Sequence, residues 1–186
     1  MSWAKELGVR SIQPGAGAAL RLLVAASRAK SVVEIGTGTG VSGLWLLHGL
    51  RADGVLTTID IEPEHQALAR QSFAAAGHAP GRARIIAGSA RDVLPRLADG
   101  AYDLVFIDIE VIQYAHCVSA AHRLLREGGL VVLHNALGVD GEVANPAATD
   151  IETRTLRELT AYLRDAPEWL PALLNAGTGL LCATRT

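Results

Sequence analysis

The chain has 186 residues, 49% of them hydrophobic, with 17 Lys and Arg against 19 Asp and Glu for a formal charge of −2. That length suits one domain (1–186) with a single sizeable core, and the scattered, nearly balanced charge leaves no electrostatic footprint for DNA or RNA. No stretch offers 18 uncharged apolar residues, and the start MSWAKELGVRSIQ lacks the apolar centre of a signal peptide, so a soluble, cytoplasmic protein is expected.

In chain order, residues 14–29 read as a helix laid on a sheet. Short apolar runs then alternate with helical patterns. Strands are expected at 31–35 (SVVEI), 55–60 (VLTTID), 83–87 (ARIIA), 102–108 (YDLVFID) and 129–134 (GLVVLH). Helices are expected between them at 41–50, 63–77, 90–98 and 111–126. The last carries apolar side chains at 111, 114, 115, 118, 121 and 125, which is helical period. Pro63 suits a first helical turn, and Gly77 suits a helix end. Strands separated by such helices predict right-handed βαβ units: a Rossmann-like, doubly wound α/β fold with a mostly parallel sheet. Residues 150–164 read as helix, and the runs 169–174 and 179–183, joined by NAGTG, as a closing antiparallel hairpin. The long irregular stretch 135–149, NALGVDGEVANPAAT, is expected to be a lid or binding loop. Cys117 and Cys182 show no ligand spacing and are expected as buried, reduced thiols.

The sequence EIGTGTGVSG at 34–43 joins the first strand to its helix. Three spaced glycines, Gly36, Gly38 and Gly40, suit a tight turn, and this position in an open α/β sheet is where nucleotides bind. Charge separates the nucleotides. Glu34 stands two residues before the first glycine, with no Lys or Arg between Lys30 and Arg51 to offset it. A carboxylate there repels a pyrophosphate and welcomes a cation, such as the sulfonium and ammonium of S-adenosylmethionine. Asp60 ends the second strand about 20 residues past the loop, where a carboxylate accepts ribose hydroxyls. Glu62 fits instead the helix cap before Pro63. Thr37 and Ser42 in the loop, and Ile61 after Asp60, complete this half of the expected cofactor site. Gly88, Ser89, Ala90 and Arg91, after the third strand, are candidates to line the adenine, although Ser89 and Asp92 are also ordinary helix-start residues.

Together the stretches VVEIGTGTGVSGLWLL, GVLTTIDIEPEHQALAR, YDLVFID and GGLVVLHNAL…DGEVANP resemble the class I S-adenosylmethionine-dependent methyltransferases. More narrowly, they resemble the small O-methyltransferases related to catechol and caffeoyl-coenzyme A O-methyltransferases, in a bacterial branch. The resemblance implies a seven-stranded sheet with an antiparallel C-terminal strand. It also implies that Glu34 and the glycines hold the methionine part, Asp60 the ribose and residues 89–91 the adenine. Asp108 is expected to serve both cofactor and reaction, and homodimers are common in the family.

In metal-dependent members, an Asp after the fourth strand and an Asp-Asn pair after the fifth hold Mg²⁺ or Ca²⁺. Here Asp108 and Asn135 are kept, but His134 replaces the second Asp, and the family's lysine is matched by Val111. A hard cation loses a charged ligand by that exchange, whereas a transition metal accepts imidazole. His134 is therefore expected either as general base or as a ligand, with Asp108 and Asn135, of a non-magnesium ion. His48, His65, His78, His116 and His122 have no ligand spacing and are expected in solvated or packed roles, and Trp45 in the core. Relatives also carry a helical segment ahead of the region matching ELGVRSIQPGAGAALRLL. Its near absence here predicts either a shortened form or an open acceptor site, walled by 109–114, 135–149 and the N-terminal segment.

The activity so implied is O-methylation of a small, aromatic acceptor. Two rivals remain: an S-adenosylmethionine-binding protein of regulatory or vestigial function, and an NAD(P)-dependent oxidoreductase. Glu34 and the lack of a Tyr-x-x-x-Lys pair argue against the oxidoreductase, and FIDIE ending strand four argues against amide or base N-methylation.

Overall fold

The computed structural model describes residues 11–138 and 141–186. Seven strands form one sheet in the order β3-β2-β1-β4-β5-β7-β6. They are β1 (Ser31–Ile35), β2 (Val55–Asp60), β3 (Ala83–Ala87), β4 (Tyr102–Ile107), β5 (Leu125–His134), β6 (Trp169–Leu174) and β7 (Leu180–Arg185). β1 to β5 pair in parallel, whereas β7 runs antiparallel between β5 and β6. The expected doubly wound sheet with its reversed last strand is what the chain forms.

Period-two alternation divides the core between the faces. Val33, Ile35, Val105, Ile107, Val131 and Leu133 face one layer, built by α4 (Ala90–Val93), α5 (Tyr114–Leu124) and α6 (Ile151–Asp165). Val32, Leu56, Leu104, Phe106 and Val132 face the other, built by α1 (Pro14–Ala26), α2 (Val41–Gly49) and α3 (Pro63–Ala75). Trp45 packs partly buried in this second cluster, as its apolar setting predicts. Burial pushes the thiols of Cys117 and Cys182 up to about 11 and about 12, so both stay protonated; they are free and buried in the core.

Boundaries depart from expectation where local chemistry intervenes. α1 ends at Ala26, and Arg28 turns into the left-handed region (φ 52°), closing the helix before Ala29. The expected helix at 90–98 is one α-turn followed by a 3₁₀ turn at Leu94–Arg96, because Pro95 has no N–H for the ladder. The helix expected from 111 opens with a 3₁₀ turn at Val111–Gln113. β5 starts four residues early, and its register with β4 shifts between Tyr102 and Leu104.

Most of the 135–149 loop is tied down rather than free. Arg157, half-buried on α6, donates to the carbonyls of Val143 (3.1 Å), Ala148 (2.8 Å), Glu142 (3.2 Å) and Asn145 (2.5 Å). Charge-assisted bonds from one guanidinium to four acceptors substitute for the backbone pairing this stretch lacks. Removing them in Arg157→Ala should cost about 1–3 kcal/mol, read from urea unfolding, because the carbonyls would be left to partial hydration.

Candidate active site

All parallel strands end at one edge of the sheet, and their exits line a cavity of about 860 Å³. Crossing it from β3 to β7, the wall carries Gly88, Ser89 and Ala90, then Asp60, Ile61 and Glu62. Beyond these come the loop Gly36–Thr39, then Asp108, then His134 and Asn135, and finally Thr178. The volume is at the upper end of the usual range for ligand pockets, enough for a nucleoside-sized molecule and a second small one.

The loop is glycine-rich by necessity. Gly36 has φ 98°, and a Cβ there would run into the carbonyl oxygen of Asp108. Its N–H donates to Ile59 O (2.9 Å), and that of Gly40 to Thr37 O (3.0 Å). The Gly38 N–H donates to Asp60 Oδ2 (2.8 Å), so the loop's three glycine amides already have partners within the fold. Asp60 Oδ1 also accepts from the Glu62 N–H (2.9 Å). Each carboxylate oxygen has two lone pairs, so Asp60 keeps capacity for a pair of hydroxyls.

Glu34 is placed differently from expectation. It shares a face with Val32, so its side chain points under α2 and α3 and does not line the cavity. It is fully buried beneath the loop, beside Gly43, where a Cβ would stand 3.2 Å from Glu34 Oε2. Thr58, its register partner on β2, donates to Oε2 (2.6 Å). The Thr58 hydroxyl also lies 2.7 Å from Thr37 Oγ1, which gives a hydrogen-bonded chain from loop to carboxyl. Glu34 Oε1 has no hydrogen-bond partner among the described residues. Burial pushes this carboxyl from its usual 4.5 up to about 8; the Ser42 and Thr58 hydroxyls oppose the rise, and the charges of Asp108 and Asp60 add to it. Near neutrality Glu34 is a proton-bearing prop of the loop and not a charged wall.

At the other end of the edge, His134 Nδ1 lies 2.9 Å from Asp108 Oδ1. A carboxylate only accepts, so Nδ1 carries a hydrogen; in the neutral ring Nε2 then holds the lone pair, 3.4 Å from Thr178 Oγ1. Tyr114, fully buried, donates its hydroxyl to the His134 carbonyl (2.9 Å) and so fixes the strand end. Burial, with the Asp108 charge as a lesser cause, holds the phenol well above its ordinary range, so it stays a donor. Asn135 follows in the left-handed region (φ 59°).

This donor set does not fit a hard divalent cation such as Mg²⁺: it offers one carboxylate, Asp108, and that carboxylate is already hydrogen-bonded to His134 Nδ1. No step below is routed through one.

Of the other expected site residues, Thr37 and Ser42 line the cavity. Ser89 does too, while its hydroxyl also caps α4 by accepting from the Asp92 N–H (3.2 Å). Arg91 is exposed and points off the wall, a correction that follows from its place on the outer side of the α4 turn. His65 corrects the reading in the opposite sense. It lines the cavity, with Nδ1 3.6 Å from Asp60 Oδ1. Its signal was its place in the first turn after Pro63, since first-turn side chains lean back toward the strand end. Glu152 and Thr178 also line the cavity and were missed. From the loop expected to wall the acceptor, only Asn135 does so among its described residues, whereas Ser11, Ile12 and Gln13 do so from the N-terminal segment. The segment ahead of residue 11 lies outside the described residues.

A sequence profile described as O-methyltransferase matches residues 3–186. The chain belongs to the O-methyltransferase family. It is 50% identical over 182 residues to a Mycobacterium tuberculosis protein named "Probable O-methyltransferase Rv1220c", covering 98% of this chain and 81% of that one. A crystal structure from Corynebacterium glutamicum superposes with a TM-score of 0.91 at 34% identity, covering 100% of this chain and 87% of the other. The O-methyltransferase TomG from Streptomyces achromogenes, solved in complex with S-adenosylmethionine, superposes with a TM-score of 0.87 at 28% identity, over 98% and 86% of the two chains.

Glu34→Gln abolishes a titration within this O-methyltransferase fold. The folded protein keeps the Glu34 proton up to about pH 8, whereas the unfolded chain releases it near 4.5. Glu34's contribution to stability is thus complete below 4.5 and declines as the pH rises to about 8. Relative to wild type, the variant should gain several kcal/mol between roughly pH 5 and pH 9 in urea unfolding without ligand. A gap between the two that ignores pH would refute the account.

Proposed function

We propose that this chain transfers the methyl group of S-adenosylmethionine to a hydroxyl of a small, aromatic acceptor, with His134 as general base. The observation that carries the reading is the Asp108–His134 pair on the wall of the cavity, with Nε2 engaged among the described residues only by the Thr178 hydroxyl at 3.4 Å. When bound, S-adenosylmethionine supplies a methyl group on a sulfonium, so the protein's work is positioning and proton removal.

Asp60 and the loop Gly36, Thr37, Gly38 and Gly40 would hold the ribose and methionine parts, with Ser42 below. Ile61, Gly88, Ser89 and Ala90 would flank the adenine. Glu34 acts one step away, by holding Thr58 and hence Thr37. Asp108 fixes the His134 tautomer through Oδ1 and keeps Oδ2 for the ligand's ammonium. His134 Nε2 accepts the acceptor's proton as its oxygen attacks, a contribution of about 10²–10⁴-fold in rate. The loop argues against a dinucleotide: its glycine amides are engaged within the fold, and a pyrophosphate would meet Asp60.

The dyad geometry favours catalysis over a regulatory or vestigial role. His134→Ala should lower kcat at least about 100-fold on a hydroxylated aromatic, followed by S-adenosylhomocysteine release, while calorimetric S-adenosylmethionine affinity changes by less than about threefold. Asp60→Ala should do the reverse, weakening that affinity about tenfold or more. Full turnover in His134→Ala would overturn the base role.

We place the protein in the cytoplasm on its reduced, buried thiols; among the described residues no helix is long and apolar enough to cross a membrane. Leu170 and Leu173, exposed on the outer strand β6, support reading it as a homodimer. Light scattering should give twice the chain mass, and a monomer at micromolar concentration would remove that reading.

A further inference from the structure

The cavity wall has a one-sided charge. Among the described residues it carries Asp60, Glu62, Asp108, Glu110 and Glu152, and neither Lys nor Arg. The donor half has its own answer to this charge, since S-adenosylmethionine brings its ammonium and sulfonium beside Asp108 and its ribose hydroxyls to Asp60. The acceptor half has none. Glu152, exposed in the first turn of α6, lines this cavity with Val111 and with Tyr114, whose hydroxyl bonds the His134 carbonyl. The same wall also carries Ile12, Val111 and Tyr114, apolar surface suited to a ring.

We propose that this cavity favours a hydroxylated aromatic acceptor bearing a protonated amine and disfavours acidic acceptors, with Glu152 as the specificity-determining carboxylate. The inference rests on the O-methyltransferase reading above and adds the acceptor's charge class to it. The physical reason is the potential inside a cleft lined by one sign of charge, where low-dielectric walls focus the field. An ammonium near Glu152 gains from that field, a carboxylate is repelled, and the several phosphates of a coenzyme A thioester find no described cation on the wall.

Three catechols that differ only in a 2-aminoethyl, 2-hydroxyethyl or 2-carboxyethyl side chain separate the possibilities. Two readouts are taken: kcat/KM by S-adenosylhomocysteine release, and calorimetric binding to the S-adenosylhomocysteine-loaded protein. The amine should be preferred to the acid by at least about tenfold at low salt, with the alcohol between, and the span should shrink in high salt as screening sets in. Glu152→Gln should narrow the amine-to-acid ratio by about threefold, the scale of one partly exposed charge pair. Equal or better use of the acid, a ratio unmoved by Glu152→Gln, or no binding of any of the three would overturn the proposal. Binding in the expected order without turnover would support the charge selection and count against the methyltransfer reading for catechols. Turnover of all three at equal rates would do the opposite.

Discussion

The site depends on a buried hydrogen-bond chain that runs from Thr37 through Thr58 to Glu34. Each member comes from a different segment: the loop, β2 and β1. A glycine-rich turn has little stiffness of its own, since glycine populates many backbone states. Here its shape is imposed from below by this chain and from the side by Asp60, which accepts the Gly38 N–H. The loop's φ values at Gly36, Gly38 and Gly40 are all positive, so rigidity has to come from such partners. The cost is a fully buried carboxyl with one oxygen unpartnered, and the protein lowers that cost by keeping the group protonated near neutrality.

Much of this was legible in the sequence because it is periodic. The apolar runs gave five parallel strands, the NAGTG turn gave the last hairpin, and strand ends brought Asp60, Asp108 and His134 to one edge. Glu34 was misjudged although the alternation carried the answer: Val32 is core on the α1–α3 face, and Glu34 shares that face. Position along the strand says which edge a residue approaches, and parity says whether it reaches the cavity or the layer beneath. Glu152 and Thr178 were not legible, because their places on the wall are set by how α6 and the β6–β7 turn dock. Docking depends on packing between distant segments, which no local pattern encodes.

The exchange of a carboxylate for His134 changes what the edge can do. Two carboxylates and an amide present several oxygens of like charge, which only a cation reconciles. An imidazole beside Asp108 reconciles itself: its Nδ1–H satisfies the carboxylate, and the pair needs no third partner. The same bond orients the ring, whose Nε2 lies 3.4 Å from Thr178 Oγ1. Tyr114 clamps the His134 carbonyl from the buried side, just ahead of the left-handed turn at Asn135.

Charge also explains why the dyad belongs beside the donor. Methyl transfer from a sulfonium leaves a neutral thioether, so the positive charge at sulfur disappears. If His134 takes the acceptor's proton, an equal charge appears on its ring. The reaction then moves one positive charge across the edge from β1 toward β5, and Asp108 on β4 lies between these strands. A single carboxylate can face the donor's cationic end before transfer and the imidazolium after it, so no uncompensated charge need form in the cavity at any stage. A metal-bound acceptor would place a permanent positive charge on that path, whereas a dyad acting as base would acquire its charge as the donor loses its own.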